Sequence, residues 1–147
     1  MLTKQNENLL NAFLRAMLNG NEDDLEILEL FFENGADPEM TSQYYSAEKS
    51  GLDWIAEKPF EVMERLLEKG YFRTDYQDNE GNTLLHKVCR FNVNYEEKAA
   101  KDLYRKVKLL LKAGTDPNIE NTADKKAVDY AMEDNLKTKT VELLLNQ

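Results

Sequence analysis

The stretch Gly81-Asn82-Thr83-Leu84-Leu85-His86-Lys87-Val88-Cys89 decides how this chain is read. Thr83 stands where a helix N-cap accepts a backbone N–H, and the apolar residues behind it begin a short buried helix. Weaker copies lie on either side, Ser50-Gly51-Leu52-Asp53-Trp54-Ile55-Ala56 upstream and Lys126-Ala127-Val128-Asp129-Tyr130-Ala131-Met132 downstream. Their apolar anchors Leu52, Leu85 and Val128 are spaced 33 and 43 residues apart. A spacing of that size is the signature of a repeated helical unit, not of isolated helices.

A second pattern runs in phase with the first. An apolar pair, two polar residues and a glycine recur as Phe31-Phe32-Glu33-Asn34-Gly35, Leu66-Leu67-Glu68-Lys69-Gly70 and Leu110-Leu111-Lys112-Ala113-Gly114. Leu144-Leu145-Asn146-Gln147 is a fourth copy without the glycine. Leu28, Met63, Val107 and Val141 each sit three positions before the pair, completing one buried helical stripe. Gly35, Gly70 and Gly114 fall where a helix ends with positive φ. Pro38 and Pro117 follow, so Asp37-Pro38 and Asp116-Pro117 open turns. The unit is a capped helix, a turn, a second helix, a glycine stop and a polar excursion.

These features resemble the ankyrin repeat, in particular small stand-alone ankyrin proteins of the bacterial kind. Thr83-Leu84-Leu85-His86 is close to that family's Thr-Pro-Leu-His, with Leu84 in place of the proline. Gly35-Ala36-Asp37-Pro38 and Gly114-Thr115-Asp116-Pro117-Asn118 are close to its Gly-Ala-Asp-Pro-Asn. Asp53 and Asp129 stand where two repeats would carry the histidine, and the first repeat lacks the capped motif, as terminal units do. The resemblance implies an all-α solenoid of about four helix–turn–helix repeats with short hairpin loops, a single domain over 1–147 with repeats near 1–38, 39–74, 75–118 and 119–147. In that motif Thr83, Leu85 and His86 are structural, with His86 a hydrogen-bonding strut between neighbouring loops.

Three segments depart from the period. The third repeat is about ten residues too long, and the excess lies between its helices, within Arg90 to Lys101. It is expected as a helix extension or a loop. The connection from Pro38 to Lys49 carries Tyr44-Tyr45, and Asn19-Gly20-Asn21 reads as a plain turn. Pro59 is expected at the first position of a helix. The apolar stretch Leu9 to Leu18 is broken by Asn11 and Arg15, so an amphipathic first helix is expected there and not a targeting segment.

Composition narrows the functional classes. With 28 acidic against 19 basic side chains the net charge is −9, unfavourable for nucleic acid or anionic membrane. The excess is confined to residues 1–70, which hold 15 acidic and 6 basic side chains; residues 71–147 hold 13 of each. The single cysteine, Cys89, permits no intramolecular disulfide and suits a cytoplasmic, reducing setting.

Catalytic and metal chemistry find little purchase. His86 and Cys89 lack the further ligands zinc requires, since no other His or Cys exists. Asp75 to His86 is a poor calcium loop, with Glu80 where glycine belongs and His86 where glutamate belongs. Asp78-Asn79-Glu80-Gly81 reads instead as the hairpin turn before the capped helix. No phosphate-binding glycine loop is present, no carboxylate pair such as Asp23-Asp24 is singled out by its spacing, and no cofactor is called for. An enzyme with an unrecognised site is the least favoured class.

The resemblance implies a protein-binding surface built from loop tips and first-helix edges. Its contact positions map to Tyr44, Ser46, Lys49, Glu57 and Lys58, then Gln77, Asn79, Glu80, Asn82, Arg90 and Phe91, then Glu120, Thr122, Lys125, Glu133 and Asp134. Tyr44 and Phe91 are expected as exposed anchors, because aromatics and arginine dominate interfaces. Trp54 is expected to pack internally. The acidity points to a basic protein partner, as for a monomeric inhibitor or immunity-type protein. A regulatory adaptor recruiting an enzyme or transporter, centred on Phe91, Tyr95 and Tyr44, is the other reading.

Overall fold

The computed structural model describes Leu9, Asn11, Leu14, residues 22–45 and residues 47–147. Ser46, the side chain of Tyr44, the turn Asn19-Gly20-Asn21 and most of the stretch Leu9 to Leu18 lie outside the described residues. Leu9, Asn11 and Leu14 are helical, with Asn11 and Leu14 buried. The chain is mostly helical, and it gathers into two compact units, Met1–Arg73 and Thr74–Gln147.

The first unit contains α1 (Glu22–Glu33), strands β1 (Thr41–Tyr44) and β2 (Ala47–Ser50), α2 (Gly51–Glu57) and α3 (Phe60–Glu68). The strands pair antiparallel from Thr41 opposite Ser50 to Tyr44 opposite Ala47. The chain reverses at Tyr45, whose φ of 54° is the left-handed region usually left to glycine or asparagine. Ser50 then caps α2. Its hydroxyl accepts from Asp53 N (3.3 Å), and the Asp53 carboxylate accepts from Ser50 N (2.8 Å), a reciprocal capping box. Gly51 is required by close approach: a Cβ there would lie 2.9 Å from Pro38 Cα. Leu52 N donates to Pro38 O at 2.9 Å, tying the turn after α1 to the start of α2. Leu28, Phe32, Leu52, Ile55, Val62, Met63 and Leu66 form the core.

The second unit contains α4 (Leu84–Arg90), α5 (Glu97–Lys112), α6 (Ala127–Ala131), a 3-10 turn (Asn135–Lys137) and α7 (Thr138–Leu145). α4 packs on α5 and α6, and α7 packs on both α5 and α6. Leu84, Leu85, Val88, Cys89, Leu103, Val107, Leu110, Ala127, Ala131 and Leu144 close the core.

The glycine stops share one geometry. Gly35 N donates to Phe32 O and Ala36 N to Phe31 O; Gly70 and Tyr71, then Gly114 and Thr115, repeat that pair of bonds to Leu67 and Leu66, and to Leu111 and Leu110. All three glycines have positive φ. This is the Schellman arrangement, in which two otherwise orphaned carbonyls are satisfied.

Pro59 occupies the N-cap of α3 and not its first helical residue, a shift of one position. Its carbonyl still accepts from Val62 N and Met63 N, so proline fixes φ without removing a needed donor. The segment Arg90 to Lys101, which interrupts the sequence period, divides between a loop, 91–96, and the start of the 16-residue α5. Asn94 and Tyr95 both adopt left-handed φ (52° and 61°) in that loop, while Val93 is buried and anchors it.

Candidate functional site

The second unit carries two loops of the same construction, 43 residues apart. In the first, Asp78 N donates to Asn82 O (3.0 Å), and Asp78 Oδ1 accepts from Glu80 N and Asn82 N (both 2.9 Å). In the second, Asn121 N donates to Lys125 O (3.0 Å), and Asn121 Oδ1 accepts from Ala123 N and Lys125 N (both 3.0 Å). Asp and Asn suit this place because their short side chains bridge their own following backbone. Gly81 (φ 75°) and Asp124 (φ 58°) make the corresponding left-handed step.

The loops are bonded to each other. Thr122 N and Oγ1 both donate to Glu80 O (2.9 and 3.0 Å), and Asn121 Nδ2 donates to Asn82 Oδ1 (2.8 Å). They approach so closely that a Cβ on Gly81 would lie 3.1 Å from Asn121 Cα and from Thr122 N. Glycine is therefore demanded twice at residue 81, by φ and by space.

His86 completes the bracing. Its Nδ1 accepts from Thr83 N (3.1 Å), and its Nε2 lies 2.9 Å from Lys125 O. A carbonyl cannot donate, so Nε2 carries the proton and Nδ1 remains an acceptor. The neutral ring satisfies both partners at once. Burial pushes its pKa below 6.5, while the bond to the Lys125 carbonyl pulls the other way. Asp53 and Asp129 close the caps of their own helices: Asp129 Oδ2 accepts from Lys126 N at 2.8 Å, as Asp53 does from Ser50 N.

Around this brace the expected contact residues separate. Gln77, Asn79, Glu80, Arg90, Glu120, Thr122 and Glu133 are exposed, as is Glu57 at the end of α2. Lys49, Lys125 and Asp134 are half-buried. Lys49 Nζ lies 5.7 Å from the ring of Trp54, which is itself buried. Asp134 accepts from Leu136 N and caps the 3-10 turn. Two positions are not on a free surface: Asn82 is held inside by Asn121, and Lys58 is buried, which lowers its pKa. Phe91 is half-buried and not an exposed anchor, because Lys106 Nζ stands 5.4 Å from its ring and its carbonyl accepts from Lys137 Nζ at 2.7 Å. Among the described residues the strongly exposed aromatics are Tyr45 (86%) and Tyr95 (96%).

The residue that spacing did not single out is Tyr130. Arg90 and Lys125 lie 5.8 and 5.5 Å from its ring, its hydroxyl accepts from Asn121 Nδ2 (2.8 Å), and Lys125 also pairs with Glu133 (3.6 Å). Tyr130 falls 43 residues after Lys87, on the corresponding first-helix edge, which is the signal that could have found it. Cation–aromatic stacking of this kind prepares a flat, rigid patch suited to contact.

Three lysines of the second unit point inward instead. Lys87 Nζ meets Asp78 Oδ2 at 2.6 Å, Lys106 pairs with Asp102 at 3.5 Å, and Lys137 Nζ donates to Cys89 O and Phe91 O (2.9 and 2.7 Å). Lys137 thereby satisfies carbonyls that the end of α4 leaves open. Cys89 is fully buried, and that burial pushes its thiol up to about 12. Such a thiol is not a nucleophile at neutral pH.

Among the described residues, no group of three His, Cys, Asp or Glu could hold a metal ion, and no helix is long and apolar enough to cross a membrane. No family model and no curated protein matches the chain.

Proposed function

We propose that the chain is a non-catalytic, ankyrin-like repeat protein that binds another protein through its loop tips and first-helix edges. The observation that carries this reading is the pair of like loops at 78–82 and 121–125, bonded to each other and braced by His86. A stacked, pre-ordered loop edge costs little entropy on binding, which favours recognition by a rigid surface. The one histidine has both ring nitrogens committed to structural bonds, so it is not available as a base.

The partner we favour is a basic protein, steered by the acidity of the first unit, with the chain acting as an inhibitor or immunity-type protein in the cytoplasm. Residues 1–73 hold 15 acidic against 7 basic side chains. The test is capture of partners from the native source at low and high salt, using the wild-type chain and Arg90→Ala/Tyr130→Ala. A basic partner that is released by salt and weakened by the double variant, with the melting temperature preserved, agrees with this reading. Retention by that variant removes the tip surface as the site, and a purely acidic partner removes the inhibitor role. An adaptor is the second reading, favoured by Tyr95 at 96% exposure on a left-handed loop, where strain is held at a surface aromatic.

A further inference from the structure

α5 is out of character with the chain that contains it. In a protein of net charge −9, Lys101, Arg105, Lys108 and Lys112 are all exposed on this one helix. Their spacing of four, three and four residues keeps them on a single face. Like charges at i, i+4 repel and weaken a helix, a cost that the pairs Lys101/Arg105 and Lys108/Lys112 both carry. Beside it runs a groove of about 730 Å³ between α5 and the segment 135–140. Ala100, Tyr104 and Leu136 give it an apolar floor, Lys101, Arg105 and Lys139 line its walls, and Glu97 is its one acidic residue. Among the described residues no carboxylate pairs with Lys101 or Lys139, whereas Lys87, Lys106 and Lys125 each have one.

We propose that this groove docks an acidic amphipathic helix of a protein partner, its carboxylates along the α5 stripe and its apolar face on Tyr104 and Leu136. The site lies on the second helices, away from the loop tips, and stands independently of the function proposed above. Charge complementarity selects the occupant. From Lys101 to Lys112 the stripe runs roughly 17 Å along the helix, which a second helix with carboxylates at i and i+4 can follow. A nucleic acid would meet the same cations but would also bring a dense phosphate charge against a net-acidic protein.

The probe is a fluorescein-labelled helical peptide with Glu at i and i+4 and Leu on one face, titrated into the full chain at low and high salt. The expected result is saturable binding that weakens with salt and falls about tenfold or more in Lys101→Glu/Arg105→Glu. Lys139→Glu alone, on the opposite wall, should weaken it in the same direction. Lys69→Glu, an exposed reversal in the first unit, should change it by no more than about twofold. Backbone amide shifts on binding should cluster at Ala100, Tyr104 and Leu136. Absence of binding at low salt, equal loss in Lys69→Glu, shifts spread over the other lysines, or tighter binding of duplex DNA or phosphatidylserine vesicles would each overturn the proposal. So would salt-sensitive self-association that the groove variants abolish, because the occupant would then be a second copy.

Discussion

The two units deliver a capped helix in different ways. In residues 1–73 the approach to α2 is a pair of strands that turns at Tyr45 without a glycine, and Asp53 closes the Ser50 cap. In residues 74–147 the approach to α4 is a loop wound around the Asp78 side chain, and His86 both closes the Thr83 cap and reaches Lys125. An aspartate at this place is long enough to serve its own backbone; the imidazole is long enough to serve a second loop as well. One side chain thus separates a cap closed by a short carboxylate from a cap whose closing ring also reaches the next loop.

The largest effect should come from breaking that brace. His86→Ala removes the ring from a buried site, leaves Thr83 N without its acceptor and strips the Lys125 carbonyl of one of its two donors, for an expected loss of about 2–4 kcal/mol in denaturant unfolding. The chain carries one reporter for each unit: Trp54, its only tryptophan, and Cys89, its only cysteine. Alkylation of Cys89 should therefore begin at lower denaturant in the variant, with the Trp54 emission transition moving less. Equal shifts would erase the distinction between the units. His86→Asp should lose less than alanine, since it restores the Thr83 cap as Asp53 does for Ser50, and the difference between the two variants isolates the strut.

The same ring gives a pH dependence with a definite sign. Its pKa in the fold lies below the 6.5 of the unfolded chain, chiefly because burial disfavours the imidazolium. Its contribution is thus complete above pH 6.5 and declines as pH falls below that value, where the unfolded chain takes up a proton that the fold refuses. His86→Gln should flatten that part of a stability–pH curve. An unchanged slope would mean other groups set it.

Gly81→Ala should follow in size, costing about 1–3 kcal/mol, because a Cβ meets both a left-handed φ and the backbone of residues 121 and 122. The corresponding left-handed position in the later loop is Asp124, so that loop tolerates a side chain where the earlier one does not. The smallest effect is a gain. Thr115 Oγ1 is buried without a hydrogen-bond partner, and Ala36 stands at the same place after the first glycine stop. Thr115→Val should raise stability by up to about 1 kcal/mol, measured by the same denaturant titration.

Much of this was legible in the sequence because its signals are local. Gly35, Gly70 and Gly114 mark helix ends through backbone geometry, and Thr83 marks a helix start through a bond three residues long. Short hairpin loops follow from the resemblance, but the strand pairing of β1 and β2 is not legible in the residues themselves, since Thr41 to Ser50 offers no alternating apolar face. Phe91 was misplaced for a similar reason. Its burial depends on Lys106 and Lys137, residues that a polarity pattern assigns to solvent. Tyr130 was missed because its importance comes from Arg90, Lys125 and Asn121 converging on one ring from three separate segments.

The inward lysines have a consequence for covalent chemistry. Lys87, Lys106 and Lys137 are each no more than 6% exposed, while Lys98, Lys101, Lys108 and Lys112 stand in solvent on α5. An acylating reagent applied to the native protein should therefore mark the second unit unevenly, leaving three blank amines among modified neighbours. Lys137 reads the end of α4 and Lys87 reads the Asp78 loop, so the order in which those blanks fill on mild destabilisation becomes a residue-by-residue map of which part opens first.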